Sequence, residues 1–280
     1  MNNVVRNQKI AFACLSGLGL LTVLVLIFII GYILSQGVSM INYEFLTSNP
    51  RKMGSEGGIF PAIVGTLYLV GTTMIIATPI GVGAAIYLNE YTARGKLTSM
   101  IRFATEALAG IPSIVFGLFG FAFFVILLEP ITGGWSILSA SLTGVTMVLP
   151  TIVRTSEEAL KAVPDTLREG SLALGTTKWQ TIKSLILPTA MPGIITGLIL
   201  SIGRVVGETA AFLLTLGGTL LIPNSLLDGS RTLSLHLYMV AMETGAMDMA
   251  FGTAAVLIVL ILIINLTATW LFRRLIKRFS

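Results

Sequence analysis

Six long apolar stretches, separated by polar segments, set the pattern of the chain. Each stretch is continuous, carries little or no charge, and has a length near the roughly 20 residues that a helix needs to cross a bilayer. Membrane-spanning strands would alternate apolar and polar positions, so the pattern predicts an all-α bundle of six transmembrane helices. The predicted spans cover residues 10–34, 59–88, 103–128, 137–153, 189–221 and 249–271.

The composition agrees with a membrane protein. Hydrophobic residues make up 54% of the 280 positions and charged residues only 11%, whereas a soluble domain carries about a quarter charged residues. A chain with so little charge cannot cover itself with a polar surface, so we expect membrane lipid around it. The net charge of +5 does not indicate nucleic acid, because basic residues in membrane proteins first report orientation.

The basic residues are divided unequally between the two sides of the membrane. Six spans place both termini and the segments near residues 95 and 170 on one side, which holds 14 of the 18 lysines and arginines. The other side holds three, and the remaining one, Arg204, lies within a span. Cytoplasmic segments carry such an excess, so the sequence predicts that both termini and residues 155–188 are cytoplasmic.

The longest polar segment, residues 155–188, carries signals for two short helices. Two threonines, each followed three residues later by Glu or Gln, match the capping box that starts a helix. These pairs are Thr166 with Glu169 and Thr177 with Gln180. Gly175 lies between the pairs and is a typical helix stop. We therefore predict two helices that meet at an elbow, residues 175–177.

Apolar residues flank the predicted elbow. Ala173, Leu174 and Trp179 have few apolar neighbours to pack against, and they lie on a segment whose helices have charged faces. An apolar patch on a charged helical hairpin suits a groove in a soluble partner. Packing against the membrane ends of other spans is the alternative, and the composition does not decide between the two. The charged, exposed faces are predicted to carry Lys161, Arg168, Lys178 and Lys183.

Two charged residues lie inside the fifth predicted span. Arg204 and Glu208 are one helical turn apart and therefore share a face. An isolated charge at a helix centre costs roughly 2.5–3.5 kcal/mol on insertion scales, which makes such residues candidates for function. A guanidinium matches the oxygens of phosphate, and Glu208 could hold Arg204 until an anion passes. A static ion pair is the alternative. Thr209 could donate a hydrogen bond to an anion, although helix packing is the simpler role.

Small residues and prolines also mark the spans. Two glycine pairs at a spacing of four allow close approach of helix backbones. They are Gly193 with Gly197 and Gly203 with Gly207. Three prolines, Pro79, Pro112 and Pro150, each remove a helix hydrogen bond and are predicted to bend or break their helices.

The polar segment resembles a known motif. Glu169-Gly170-Ser171, three residues, Gly175, nine residues and then Leu185-Ile186-Leu187-Pro188 have the spacing of the EAA motif of permease subunits of ABC importers. The chain departs from that motif at its two alanines and its isoleucine, where Gly170, Ser171 and Leu185 stand. The resemblance implies a type I permease fold and a coupling loop that docks in a cleft of a cytoplasmic ATPase. The residues implied in coupling are Glu169, Gly175, Thr176, Thr177, Trp179, Leu187 and Pro188.

Further stretches are similar to the phosphate-specific transport permeases, and more to the PstA type than to the PstC type. They are residues 109–120, 154–164 and 203–210. The resemblance implies a bacterial inner-membrane permease that pairs with a PstC-type permease, a PstB-type ATP-binding dimer and an external PstS-type phosphate-binding protein. It also implies a substrate pathway that includes Arg204, Glu208, Arg154 and Thr209. Without the resemblance, a role for Arg154 in setting the topology at the end of a span is as good an interpretation as a role in the pathway. A permease for sulfate, molybdate or tungstate, or a gradient-driven carrier, is the alternative.

The sequence gives no sign of an enzyme. It contains no nucleotide-binding P-loop, no GxSxG and no HExxH, and His236 is its only histidine. We therefore expect no metal and no cofactor bound by this chain, with ATP used by a partner subunit. Residues 1–58 are predicted to form a tail, the first span and an external segment, and residues 59–280 the permease domain.

Overall fold

The computed structural model describes residues 2–92 and 95–279, and most of this length is helical. Arg94, one of the basic residues counted on the predicted cytoplasmic side, lies outside the described residues. In chain order the helices are α1 (Asn2–Gly37), α2 (Tyr43–Thr47), α3 (Phe60–Ile86), α4 (Lys96–Ala109), α5 (Ser113–Gly120), α6 (Glu129–Thr132), α7 (Ile137–Lys161), α8 (Asp165–Ala173), α9 (Lys178–Thr181), α10 (Leu187–Gly207), α11 (Ala210–Thr215), α12 (Leu233–Met239) and α13 (Met247–Phe279).

Shorter elements connect or extend these helices. Four π-helical segments follow α3, α5, α9 and α12, at Tyr87–Tyr91, Phe121–Leu127, Ile182–Ile186 and Val240–Thr244. Single 3₁₀ turns occur at Val38–Met40 and Lys52–Gly54. The strands β1 (Pro50–Arg51) and β2 (Glu56–Gly57) pair antiparallel between α2 and α3, with Pro50 opposite Gly57.

The described helices include five that are long and apolar enough to cross a membrane, and a sixth candidate is a pair bent by 102°. The five are Asn7–Met40, Phe60–Tyr91, Ile137–Lys161, Lys178–Gly207 and Met247–Leu271, and the bent pair is Thr98–Ala109 with Ser113–Leu127. The predicted helical, multi-pass fold is therefore confirmed.

The third predicted span is not one continuous helix. α4 ends at Ala109, Pro112 is extended with ψ 140°, and α5 begins at Ser113. Proline explains the break, because it has no N–H and disfavours a helical conformation in the residue before it. Pro79 and Pro150 lie inside α3 and α7, which run past them without a break. Among these three prolines, a break in the helix is found at Pro112 alone.

The fifth predicted span begins earlier and ends earlier than the apolar pattern indicates. Its helix starts at Lys178, inside the polar segment, and continues through α10 to Gly207. Glu208 is extended, with φ −73° and ψ 132°, and the short helix α11 follows before a turn at Gly217 and Gly218. One continuous helix therefore joins the predicted elbow to the interior of the bundle.

Helix α7 is the centre of the bundle and packs against α3, α10 and α5. Met147, Val148 and Ile152 of α7 are fully buried. On the facing surface of α3, a side chain at Gly81 would come within 2.6 Å of Ile152. The absence of that side chain lets the two backbones approach, which is how helices associate where lipid gives no hydrophobic drive.

Helix α10 approaches α7 through one of the two glycine pairs. A Cβ atom at Gly193 would lie 2.6 Å from Ala159, and one at Gly197 would overlap Thr155. The packing interpretation is therefore confirmed for this pair. A Cβ at Gly203 or Gly207 would meet no described atom within 4 Å, so the second pair has no such contact within this chain.

Helix α1 lies at the edge of the bundle. Its side chains are exposed along almost the whole length, and only its last turns contact α13. There the Tyr32 ring meets the Phe251 ring edge-on, with 5.9 Å between ring centroids. A side chain at Gly37 would overlap the carbonyl of Phe251. The first span is thus attached to the bundle at one end only.

Candidate functional site

The elbow is built as the local signals predict. α8 and α9 meet at residues 174–177, and Gly175 has φ +85°, a conformation that glycine adopts without the cost that other residues incur. The hydroxyl oxygens of Ser171, Thr176 and Thr181 are hydrogen-bonded to one another at 2.8–3.0 Å. Ser171 stands where the EAA motif has alanine, and its hydroxyl ties the two helices together at this junction.

The capping box is confirmed at one of its two predicted positions. The backbone N–H of Gln180 donates to Thr177 Oγ1 at 3.3 Å, and the N–H of Thr177 donates to Gln180 Oε1 at 2.8 Å. The prediction for Thr166 was wrong, because α8 already begins at Asp165, directly after Pro164. Proline favours a helix start by its fixed φ, and no side-chain cap is present there.

The apolar side chains of the elbow point into solvent. Leu174 is 86% exposed and Trp179 58% exposed, and α8 contains no fully buried residue. Of the two alternatives left open by the sequence, the structure therefore favours a surface available to a partner over packing against the spans. Glu169 is exposed on the same segment, and Thr176 is half-buried through its hydroxyl contacts.

The end of the motif connects the elbow to the membrane helix. Leu187 and Pro188 begin α10, directly after a π-helical segment in which Ile182 and Ile186 are buried. Proline suits the first turn of a helix, where a backbone N–H lacks an intrahelical partner. Leu187 packs against the core of the bundle. α9 is therefore joined to α10 without a break in the helix.

Arg168 does not lie on an exposed face, contrary to the prediction. Its side chain is only 17% exposed, and its guanidinium contacts Glu90 at 3.0 Å and Asp165 at 2.9 Å. It also donates to the backbone carbonyls of Leu160 and Val163 at 2.7 and 2.6 Å. These acceptors lie in the last turn of α7 and just after it, where backbone carbonyls remain open to side-chain donors. The other three predicted basic residues, Lys161, Lys178 and Lys183, are exposed.

Arg204 and Glu208 do not share a helix face. Arg204 lies in the last turn of α10, and Glu208 has left the helix. The carboxylate of Glu208 instead accepts a hydrogen bond from the N–H of Ala211 at 3.1 Å, at the start of α11, where a negative charge is favourable. Arg204 is half-buried and has no hydrogen bond or ion pair with any residue that the structure describes. The static ion pair with Glu208 is therefore absent in this conformation.

Thr209 and Arg154 occupy different levels of the bundle. Thr209 precedes α11 and lies beside Glu208 in sequence, close to the end of α10. Arg154 lies within α7, which extends to Lys161, and forms an exposed ion pair with Glu158 at 3.2 Å. Thr155, the residue after Arg154, packs against Gly197 of α10. Gly197 precedes Arg204 by about two helical turns, or about 10 Å along the helix axis. Glu208 and Thr209 thus follow Arg204 within five residues along the chain, whereas Arg154 lies at another depth of the bundle.

A buried polar cluster around α12 was not predicted. Arg231 donates to the carbonyl of Gly218 through Nε at 3.0 Å and Nη2 at 2.8 Å. The hydroxyl of Ser234 donates to the carbonyl of Glu208 at 2.8 Å, which links α12 to the break after α10. Leucines alternate with polar residues over 232–237, which indicates a half-buried segment. That pattern is typical of a strand, so it did not indicate a helix.

His236 is the most enclosed titratable group of this cluster. It is 1% exposed, and neither ring nitrogen has a hydrogen-bond partner among the described residues. It lies outside the candidate spans. Burial, and to a smaller extent the nearby charge of Arg231, together lower the pKa of His236 to about 4. Among residues 2–92 and 95–279, no group of three or more His, Cys, Asp or Glu side chains could hold a metal ion.

Comparison with known proteins identifies the family. The model of the family described as "Binding-protein-dependent transport system inner membrane component" matches residues 77–280. The chain is 36% identical over 295 residues to the probable ABC transporter permease protein YqgI of Bacillus subtilis (strain 168), with 98% of this chain and 99% of that protein covered. It is 39% identical over 215 residues to the phosphate transport system permease protein PstA 1 of Mycobacterium tuberculosis (strain CDC 1551 / Oshkosh), with 76% of this chain and 69% of that protein covered.

The fold is shared with a solved membrane protein. A bacterial alginate ABC transporter, solved in complex with an alginate pentasaccharide-bound periplasmic protein, contains a chain that superposes with a TM-score of 0.69. The alignment covers 96% of this chain and 98% of that one at 17% identity, which shows the fold alone. The chain therefore belongs to the family of inner membrane components of binding-protein-dependent transport systems.

Proposed function

We propose that the chain is the permease subunit of an ATP-driven phosphate importer, in which it forms half of the transmembrane pathway. The observation that carries this proposal is the exposed apolar elbow, where Leu174 and Trp179 stand on a motif with EAA spacing. A surface of this kind suits a groove in a soluble protein. The relative PstA 1, a phosphate transport system permease by name, supports phosphate as the cargo.

In this proposal Arg204 offers transient charge neutralisation to the anion. Its guanidinium has no internal partner among the described residues, so a passing phosphate does not have to displace a carboxylate first. Glu208 keeps its own place by capping α11. A pathway site must bind well enough to admit the ion and weakly enough to release it. One half-buried arginine, without a closed cage of donors, meets that requirement.

The partners follow from the same scheme. A PstC-type permease would complete the pathway, a PstB-type ATP-binding dimer would receive residues 155–188, and an external PstS-type protein would deliver phosphate. The chain itself binds no cofactor, because ATP is used by the partner dimer, and it acts in transport and not as an enzyme. The unequal distribution of lysines and arginines supports cytoplasmic termini in a bacterial inner membrane.

Uptake by an Arg204→Gln variant tests the pathway role. Losing a charge-assisted contact worth about 1.5–3 kcal/mol should lower phosphate uptake by about 10- to 150-fold while the complex still assembles. Arg204→Lys keeps the charge but loses the planar fork, so we expect an intermediate rate. The matched control is Lys9→Gln, which removes a positive charge from the exposed surface of α1. Full uptake by Arg204→Gln would exclude Arg204 from the pathway. If sulfate or molybdate inhibited phosphate uptake by competition, the assigned cargo would change.

A further inference from the structure

A buried ion pair joins the elbow to the end of a helix that the elbow otherwise contacts through Lys178, whose ammonium lies 5.1 Å from the centre of the Tyr91 ring. Arg168 belongs to α8, and Glu90 belongs to the π-helical end of the helix that begins with α3, 78 residues earlier. The guanidinium Nη2 lies 3.0 Å from Glu90 Oε1, and the two side chains are 17% and 6% exposed. Charge pairs shielded from water are screened far less than surface pairs. This contact therefore holds the two elements firmly together.

The two halves of the elbow are attached to the bundle in different ways. α9 runs without interruption into α10, so it is connected through the backbone. α8 buries no residue fully, so apolar packing contributes little to its attachment. Its polar contacts to the bundle centre on Arg168, which reaches Glu90 and the carbonyls at the end of α7. α8 is also joined to α7 by residues 162–164 and to α9 by the Ser171–Thr181 hydrogen bond, so Arg168 is specifically its charged link to the end of the helix that begins with α3.

A second ion-pair group lies beside the first. Glu157 of α7 is 8% exposed and contacts Arg102 of α4 at 2.6 Å and Lys161 at 2.8 Å. Glu90 and Arg102 both line a cavity of about 570 Å³ at this surface. Charged side chains around open space therefore supplement the apolar packing of Ala85 and Leu160 at the ends of α3 and α7.

We propose that Arg168 and Glu90 are positioning residues that transmit displacement of the elbow to α3. This inference rests on the proposed function, because it requires a partner that moves the elbow during ATP hydrolysis. In this arrangement motion reaches α10 through the continuous helix and α3 through the ion pair. Both helices pack against the central α7. Loss of the ion pair would weaken the part of the motion that reaches the cytoplasmic end of α3, so that less phosphate is transported for each ATP hydrolysed.

A purely structural role for Arg168 makes a different prediction. If its function were only to cap the carbonyls of Leu160 and Val163, then Glu90 would be dispensable. Glu90→Ala and Glu90→Gln leave those two hydrogen bonds in place and remove the charged contact with Arg168, and Glu90→Ala also removes the hydrogen bond that Asn89 donates to Glu90. The Glu90 variants therefore separate transmission from folding of the elbow, which Arg168→Ala alone does not.

The test uses the whole importer in proteoliposomes and measures phosphate transported per ATP hydrolysed. We expect Glu90→Ala and Arg168→Ala each to lower this ratio by about fivefold or more, as for coupling between distant sites, while ATP hydrolysis and assembly persist. The ratio for the double variant should be no lower than that of the more impaired single variant, because both substitutions break the same contact. Lys52→Ala, which removes the exposed Lys52–Glu56 pair, is the control and should keep the wild-type ratio.

The outcomes are distinct. A Glu90→Ala complex that transports phosphate at the wild-type ratio would overturn the inference, as would a double variant whose loss is the product of the single losses. If Glu90→Ala fails to assemble, the isosteric Glu90→Gln decides between the two roles by the same ratio. If the wild-type complex shows no ATP-dependent uptake, the proposed function itself fails and the inference fails with it.

Discussion

The contact between α10 and α7 permits a quantitative prediction with a control on the same helix. A Cβ at Gly197 would overlap Thr155 Oγ1 and lie 2.7 Å from Thr155 Cβ. The Thr155 hydroxyl donates to the carbonyl of Thr151 at 2.8 Å, so the side chain cannot turn away without losing that bond. Gly197→Ala must therefore push the two helices apart or break the hydrogen bond.

The expected magnitude comes from two opposing effects. Overpacking of a close contact costs about 1–3 kcal/mol, and replacing glycine by alanine inside a helix returns up to about 1 kcal/mol. Gly203→Ala should gain the helix propensity of alanine without overpacking, because no described atom lies within 4 Å of its Cβ position. Gly197→Ala should therefore be less stable than Gly203→Ala by about 1–3 kcal/mol.

Thermal unfolding of the purified chain in detergent measures this difference. We expect the midpoint to be several degrees lower for Gly197→Ala than for Gly203→Ala. Thr155→Ala removes the nearest colliding atom and should restore part of the loss. Equal midpoints for the two alanine variants, or a lower one for Gly203→Ala, would refute the packing of α10 on α7 described above. If Gly203→Ala destabilises only the assembled importer, the second glycine pair contacts a partner subunit.

Three further predictions concern the elbow and α12. Thr177→Ala removes one side of the capping box and should destabilise α9 by about 1 kcal/mol, seen as faster hydrogen exchange over residues 178–181. Gly175→Val forces a β-branched residue to φ +85° and should uncouple ATP hydrolysis from transport in the assembled importer. For His236, the folded pKa of about 4 lies below the ordinary value near 6.5. The unfolded chain thus binds the proton more tightly, so stability should fall by about 2 kcal/mol between pH 7 and pH 5.

Each of these predictions has an outcome that contradicts it. Unchanged exchange in Thr177→Ala would mean that packing alone holds α9. Normal transport and ATPase binding by Gly175→Val would remove the elbow from the coupling surface. The pH-dependent loss of stability should be smaller in His236→Gln, whose amide does not titrate in this range. An identical loss in that variant would assign the effect to another group.

Local signals in the sequence were sufficient to predict those parts of the structure that are stabilised by contacts between residues close together in the chain. The elbow is determined by Gly175 and by the Thr177–Gln180 capping box, whose partners lie within a few residues of each other. The break in the third span is caused by a single residue, Pro112. The apolar stretches indicated the multi-pass helical fold because a bilayer requires apolar helices of a given length, although the third span is broken and the fifth is displaced along the chain.

Distant contacts explain what the sequence did not predict. The helical spacing of Arg204 and Glu208 continues past Gly207, yet Ser234, 26 residues later, binds the carbonyl of Glu208 and holds it out of the helix. The N–H of Leu233 is satisfied by Thr66, which is 167 residues earlier. Arg168 looks like any solvent-exposed arginine until the chain brings Glu90 to it. Such pairs depend on tertiary structure, and no local periodicity encodes them.

Phosphate uptake into proteoliposomes is the most direct test of the proposed importer. The chain would be reconstituted with its partner permease, and uptake compared with and without the ATP-binding subunit, ATP and the external binding protein. We expect phosphate to accumulate only when all of these components are present. Phosphate movement down its gradient through the chain without the ATP-binding subunit, at the rate of the full complex, would contradict the account and indicate a carrier.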